Sequence, residues 1–300
     1  MEGIRVPERS SPTLESNPVA SLSRSGSRHE LFNHDDTKIL YDILDYDVAD
    51  RIFEELKSEI QWNEMLHCGG SVPRLIAVQG EVAEDGSQPI YRHPTDQQLS
   101  LSPFSPTVEL IRQKVETAMG HKVNHVLLQY YRDGLDCISE HSDKTLDISP
   151  QTFIGNYSLG AQRTMVFRTK TSNGSRHVYR VPLPHNSLCR MGPITNKYWL
   201  HGIRPDKRAS GIKSIEESAF NGGRISLTFR LIGTFLDSSG EKIWGQGATA
   251  KKRSDARFIK YEDTQEAERM IQAFKRENSD CNFDWQATYG NGFDSLHIFR

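Results

Sequence analysis

The chain has 300 residues, with 37 Lys+Arg against 39 Asp+Glu, a formal net charge of -2 and a sequence pI near 6.6. That length accommodates one large domain or two modest ones, and the near balance of charge excludes a histone-like or polybasic protein. With 36% apolar residues, a mean hydropathy of -0.59 and no run near the ~18 apolar residues of a membrane-spanning helix, the sequence predicts a globular protein with no membrane partner.

Residues Met1 to Arg28 contain seven serines and three prolines. They lack the apolar stretch of a secretory signal, and Glu2, Glu8 and Glu15 argue against a mitochondrial presequence. A disordered tail over 1–29 is expected. Cys68, Cys137, Cys189 and Cys281 are too dispersed for a C-x-x-C pair and too few for a disulfide framework. The expected location is intracellular, nuclear or cytoplasmic, and not secreted.

From Val48 the segment VADRIFEELKSEIQW places Val48, Ile52, Phe53, Leu56 and Ile60 at helical spacings, which predicts an amphipathic helix. Thr107 to Met119 repeats the period through Val108, Ile111, Val115 and Met119, and Gly120 offers a stop. From Asn124 onward the texture changes to short β-rich runs: VLLQYY, TFIGNYSLG, RTMVFRTK, HVYRVPL, SLCRM and RISLTFRLIG. Strands at this spacing, with no helices between them, predict an antiparallel sandwich or barrel. The expected class is mainly β with flanking helices (α+β), a jelly roll behind two helices. After Leu236 the chain turns polar, with one predicted helix over Thr264–Glu277 and an aromatic-rich end. The predicted division is a tail, a domain over 30–236 and a C-terminal extension over 237–300, packed on the core or appended to it.

His141 and Asp143 lie two residues apart in ISEHSDKT. On an extended strand, residues i and i+2 share a face, so imidazole and carboxylate can converge. With a distant third histidine, best supplied by His201 in NKYWLHGIRP, they match the facial triad of non-haem Fe(II). The pair alone is a weak signal, since H-x-D recurs at His34 and Asp36. In GGRISLTFRL, Arg224 and Arg230 share strand parity with Ser226 and Thr228, opposite Ile225, Leu227 and Phe229. Either this polar face looks inward and its guanidiniums need anionic partners such as a dicarboxylate, or it simply faces water.

Together QYYRDGLDCISEHSD, WLHGIRP and RISLTFR, with a weaker echo in VPRLIAVQG, make the chain resemble the AlkB-type Fe(II)- and 2-oxoglutarate-dependent dioxygenases from about Trp62 to Leu236. The resemblance implies a double-stranded β-helix (jelly-roll) core with iron held by His141, Asp143 and His201. It also implies 2-oxoglutarate as cosubstrate, bound by Arg224, Arg230 and Tyr131, with Gln129 standing where the family usually has Asn. Dioxygen would be the oxidant, and the reaction would be hydroxylation of a substrate C–H. On an N-methyl group that product collapses to formaldehyde and the amine, the chemistry of DNA repair by demethylation. Arg74 and Tyr91 fall where relatives carry substrate contacts. Lys144 and Thr145 occupy positions where the repair members commonly place an acid that reads the base. Residues 202–223 form a further departure, a loop that either is tolerated or covers a substrate or partner.

Eleven basic residues stand against Asp206 alone between Ala161 and Lys213, a local excess of the kind that grips a phosphate backbone, unless it solvates an outer sheet face. The leading expectation is therefore oxidative dealkylation of alkylated nucleic acid. The alternatives are the same oxygenase chemistry on a small molecule or protein, and an inactive binding module on the same fold. Oligomeric state has no signal in the sequence.

Overall fold

The two segments with helical periodicity close over one face of a large sheet, and that contact decides the orientation of everything behind it. The computed structural model of the chain describes residues 29–31, 36–67, 70–94, 99–170 and 176–296. The tail expected over 1–29 therefore lies, up to residue 28, outside the described residues, as does His34. In chain order the main elements begin with β1 (Thr37–Tyr41), α1 (Tyr46–Glu59), β2 (Leu75–Gly80), α2 (Pro106–Met119) and β3 (His125–Tyr131). They continue with β4 (Ile138–His141), β5 (Ile154–Gly160), β6 (Arg163–Thr169), β7 (Val178–Leu183) and β8 (Ser187–Met191). The final set is α3 (Pro193–Tyr198), β9 (Trp199–Ile203), β10 (Arg224–Arg230), β11 (Thr234–Leu236), β12 (Lys242–Gly245), α4 (Thr264–Ser279) and α5 (Trp285–Tyr289).

Eight strands form the larger sheet, with the central order β1-β8-β5-β10-β3-β2 and short strands at 29–31 and 102–103 on its edges. The smaller sheet has the order β7-β6-β9-β4. The pairings within the central order and within the smaller sheet are antiparallel. Non-sequential neighbours such as β10 between β5 and β3 give the crossed connections of a jelly roll, the fold class expected.

Helix α1 buries Ala49, Ile52, Phe53 and Leu56, and α2 buries Val108, Ile111, Val115 and Met119. Pro106 opens α2 in its first turn, and Gly120 closes it at φ 80°, a left-handed conformation available to glycine at little cost. These faces pack on Ile225, Leu227 and Phe229 of β10 together with Leu128, Tyr157 and Leu188. Every residue of β10 is buried. Since its apolar set lies under the helices, its polar set points between the sheets. This settles the choice left open by strand parity in favour of inward arginines.

Residues 237–296 form hydrophobic clusters of their own, which take in Leu146, Ile90 and Leu236 of the preceding chain. Strands β11 and β12 join short strands at 88–89 and 257–258 in a separate four-stranded sheet. Helix α4 starts where the Asp263 carboxylate accepts from the Glu266 amide, and it buries Ala267, Met270, Ala273 and Phe274. Those residues cluster with Leu146, Phe283, Tyr289 and Phe293. No helix among the described residues is long and apolar enough to cross a membrane.

Candidate active site

Strand β4 ends at His141, so Asp143 lies beyond the ladder. The expectation that one extended strand carries both ligands is thereby corrected; the two converge because the chain after His141 is held by side chains from elsewhere. Strand β9 pairs with β4 so that His201 stands directly opposite His141, with a register slip between His201 and Ile203. Gly202 sits at that slip, and a Cβ there would come within 2.9 Å of the Ile138 carbonyl oxygen.

The imidazole Nε2 atoms of His141 and His201 each lie 3.8 Å from Asp143 Oδ1. Among the described residues this trio is the one group able to present three ligand atoms together, all within 4.8 Å of one another. His141 Nδ1 lies 2.8 Å from the Ser139 carbonyl. A carbonyl only accepts, so Nδ1 carries the proton and Nε2 presents its lone pair to a metal. Burial, followed by the neighbouring His201, lowers the pKa of His141 to about 3. Burial also lowers that of His201. Neutral imidazoles and an ionised carboxylate are the states that coordinate a cation.

Burial alone would favour the neutral form of Asp143, but Arg230 and the two histidines override it and hold its pKa at about 2. Arg230 reaches Asp143 Oδ2 through Nε at 2.9 Å and Nη2 at 2.8 Å, leaving Oδ1 toward the imidazoles. Its guanidinium lies over the Tyr91 ring, 4.2 Å from the centroid. Arg230, expected to bind the cosubstrate, orients Asp143 and also lines the cavity described below.

Arg224 is different. It is 1% exposed, with Nη2 donating to Ser158 Oγ at 2.8 Å and Asn156 Oδ1 at 3.2 Å. Its Nε and Nη1 are buried with no hydrogen-bond partner among the described residues. Burial drags its pKa down to about 10, the direction in which desolvation moves a cation. The cavity that Arg224 lines is also lined by Gln129, Tyr131, His141, Asp143 and His201. Tyr131 pairs with Arg224 across β3 and β10, and its ring lies 5.2 Å from the guanidinium. A buried fork of unsatisfied donors in the same cavity as a metal-ligand trio fits a molecule with a carboxylate at one end and a chelating group at the other. The residues present fit Fe(II) and 2-oxoglutarate.

The four residues expected to touch substrate make contacts within the protein. Arg74 is buried and donates from Nε to Gln129 Oε1 at 2.6 Å and from Nη1 to the Cys137 carbonyl at 2.9 Å. Tyr91 is 5% exposed, and its hydroxyl accepts from the Lys144 amide at 3.0 Å. Lys144 Nζ is buried on the Ser142 carbonyl and Asn278 Oδ1, while Thr145 donates to the Glu277 carboxylate. Each of the four is thus engaged within the protein. Arg74 orients the Gln129 amide, so Arg74→Met is expected to raise the KM for 2-oxoglutarate about tenfold, the weight of one lost charge-assisted bond, with Fe(II) affinity unchanged. Steady-state titration of the cosubstrate checks it.

The basic segment is also divided. Arg163 and Lys170 are buried on backbone carbonyls. Arg168 and Arg204 share Glu140. Arg208 pairs with Asp206 and Glu217, and Lys213 with Asp206. Of the three acids in these pairs, Glu140 and Glu217 lie outside the segment and Asp206 within it. Asp36, of the second H-x-D, accepts from the amides of Ile194 and Thr195 at the start of α3. Asn196 had no signal in the sequence, yet its Oδ1 accepts from the Asp143 amide and its Nδ2 donates to the Asp143 carbonyl, both at 2.9 Å.

The profile of the 2OG-Fe(II) oxygenase superfamily matches residues 36–230. The DNA oxidative demethylase ALKBH2 of Mus musculus is 33% identical over 196 residues, covering 61% of this chain and 75% of that protein. Its Homo sapiens counterpart is 35% identical over 196 residues, with coverage of 61% and 69%. The alpha-ketoglutarate-dependent dioxygenase alkB homolog 3 of Rattus norvegicus is 29% identical over 199 residues, covering 63% of this chain and 61% of that protein.

Proposed function

Since the chain belongs to the 2OG-Fe(II) oxygenase superfamily, among its AlkB-like members, we propose that it removes N-alkyl groups from nucleic-acid bases by oxidation, with dioxygen as oxidant. In this reading His141, Asp143 and His201 hold Fe(II), and Arg224, Tyr131 and Gln129 receive 2-oxoglutarate. When bound, the metal and cosubstrate supply oxidative decarboxylation to succinate coupled to hydroxylation of a substrate carbon, and a hydroxylated N-methyl group leaves as formaldehyde.

The chain's own contribution is orientation. Arg230 fixes which carboxylate oxygen of Asp143 faces the two imidazoles, and Ser139 fixes the His141 tautomer. Arg224 offers its two unpartnered donors to the remote carboxylate of the cosubstrate. The single observation that carries the cosubstrate reading is this buried, half-satisfied guanidinium in the cavity of the metal-ligand trio. The substrate reading rests on the similarity to ALKBH2, named as a DNA oxidative demethylase.

A second reading, the same oxygenase chemistry on a small molecule or protein, draws on Lys144 and Thr145, which are held by α4, and on the ion-paired part of the basic segment. The test is formaldehyde release from DNA and RNA oligonucleotides carrying 1-methyladenine or 3-methylcytosine. The wild type should release it and His141→Ala should fall to background. Wild-type turnover of 2-oxoglutarate with metabolites or peptides, but with none of these oligonucleotides, would shift the assignment to the second reading.

A further inference from the structure

Beyond His141 the backbone leaves the sheet, yet four consecutive amides, those of Ser142, Asp143, Lys144 and Thr145, each donate to a side chain. Ser142 donates to Asn278 Oδ1 at 2.8 Å, Asp143 to Asn196 Oδ1 at 2.9 Å, Lys144 to the Tyr91 hydroxyl at 3.0 Å and Thr145 to Glu277 Oε1 at 3.0 Å. In a strand a neighbouring backbone would take these donors; here residues far away in sequence take them, and buried donors left unpaired would be costly. Two of the four acceptors lie on the last turn of α4, outside the stretch that the family profile matches.

We propose that α4 is part of the iron site, with Asn278 and Glu277 acting as positioning residues that hold the backbone on both sides of Asp143 so that its carboxylate faces the two histidines. The inference rests on the reading of His141, Asp143 and His201 as iron ligands. Asn278 Oδ1 collects the Ser142 amide and also Lys144 Nζ at 2.9 Å, so one oxygen ties both neighbours of Asp143. The Glu277 carboxylate is itself buried and braced, with Oε2 accepting from the Tyr289 hydroxyl at 2.8 Å. Lys170 Nζ donates to the Glu277 carbonyl at 2.6 Å, fastening the end of the helix to β6's outgoing chain. The catalytic sheet and the C-terminal segment therefore meet at the metal ligand. Partners behind a ligand tune metal affinity about as strongly as 10- to 100-fold.

The test uses the full chain and measures Fe(II) affinity by chelator competition, together with the Co(II) absorption spectrum and the melting temperature without metal. Asn278 is only partly buried, so Asn278→Ala should keep the fold while weakening Fe(II) binding roughly 10- to 100-fold and altering the Co(II) spectrum. Asn278→Asp, which retains the acceptor oxygen, should restore most of the affinity. Wild-type affinity in Asn278→Ala overturns the proposal, and so does equal loss in both variants, which would place the effect in helix packing. If the alanine variant does not fold, the aspartate variant decides by the same measure: affinity near wild type supports the acceptor role, and a loss of tenfold or more overturns it. Failure of the wild type to bind Fe(II) would instead count against the ligand reading, because the variants are compared only with a wild type that binds.

Discussion

Arg224→Met is expected to raise the Kd for 2-oxoglutarate roughly 30- to 3,000-fold. Truncating one partner of a buried, hydrogen-bonded charge pair costs about 2–5 kcal/mol, and each 1.4 kcal/mol is about a factor of ten. Fe(II) affinity should stay close to wild type, because Arg224 contacts Asn156 and Ser158 and none of the three metal ligands. The same substitution should make the cosubstrate-free protein more stable by roughly 1–2 kcal/mol, since replacing an ill-paired buried charge with an apolar side chain is commonly favourable. Lost function with raised stability is the signature of a site kept unsatisfied for a ligand. Titration calorimetry and thermal melting read the two effects separately. A variant that binds 2-oxoglutarate normally would remove Arg224 from the cosubstrate site.

The largest expected effect on stability lies at Arg92. It is fully buried, and it pairs with Asp147 through Nη2 at 2.7 Å and Nε at 3.1 Å. Its remaining donors reach the carbonyls of Gly247, Phe293 and Ser295 at 2.7–3.1 Å. One guanidinium thus joins the segment after the iron ligand to two distant stretches of the C-terminal region. Arg92→Met leaves Asp147 as an uncompensated buried charge, with an expected loss of about 3–5 kcal/mol. Denaturant unfolding should show that loss, and limited proteolysis should open sites beyond residue 246 before the jelly roll is cut. Because α4 holds the Ser142 and Thr145 amides on either side of Asp143, Fe(II) affinity should weaken along with stability. Unchanged proteolysis and a loss under 1 kcal/mol would contradict the account of Arg92 as the tie between the two regions.

What was legible in the sequence followed from short-range geometry. The alternation in β10 put Arg224 and Arg230 on one face from parity alone, and the helical spacing of Ile52, Phe53 and Leu56 marked the face of α1 that the core takes. Which face of β10 looked inward depended on where α1 and α2 pack, a long-range contact that strand parity does not encode. The convergence of His141 and Asp143 was expected for the wrong local reason. An extended strand would align them, but the strand stops at His141 and the alignment comes from Asn196, Tyr91, Glu277 and Asn278. The last of these is 136 residues from the amide it holds, and no local pattern announces such a partner. The ion-pair partners of the basic segment were hidden for a related reason: Glu140 and Glu217 lie outside it in sequence and inside its ion pairs in space.

The central claim is that His141, Asp143, His201 and Arg224 make one site that binds metal and cosubstrate together. The most direct measurement is an anaerobic titration of 2-oxoglutarate into Fe(II)-loaded protein, followed by the visible charge-transfer absorption that arises when a 2-keto acid chelates Fe(II). The account predicts a saturable band with one equivalent of metal, absent in His141→Ala and shifted to much higher 2-oxoglutarate concentration in Arg224→Met. An identical titration in wild type and Arg224→Met, or a band that survives in His141→Ala, would contradict it.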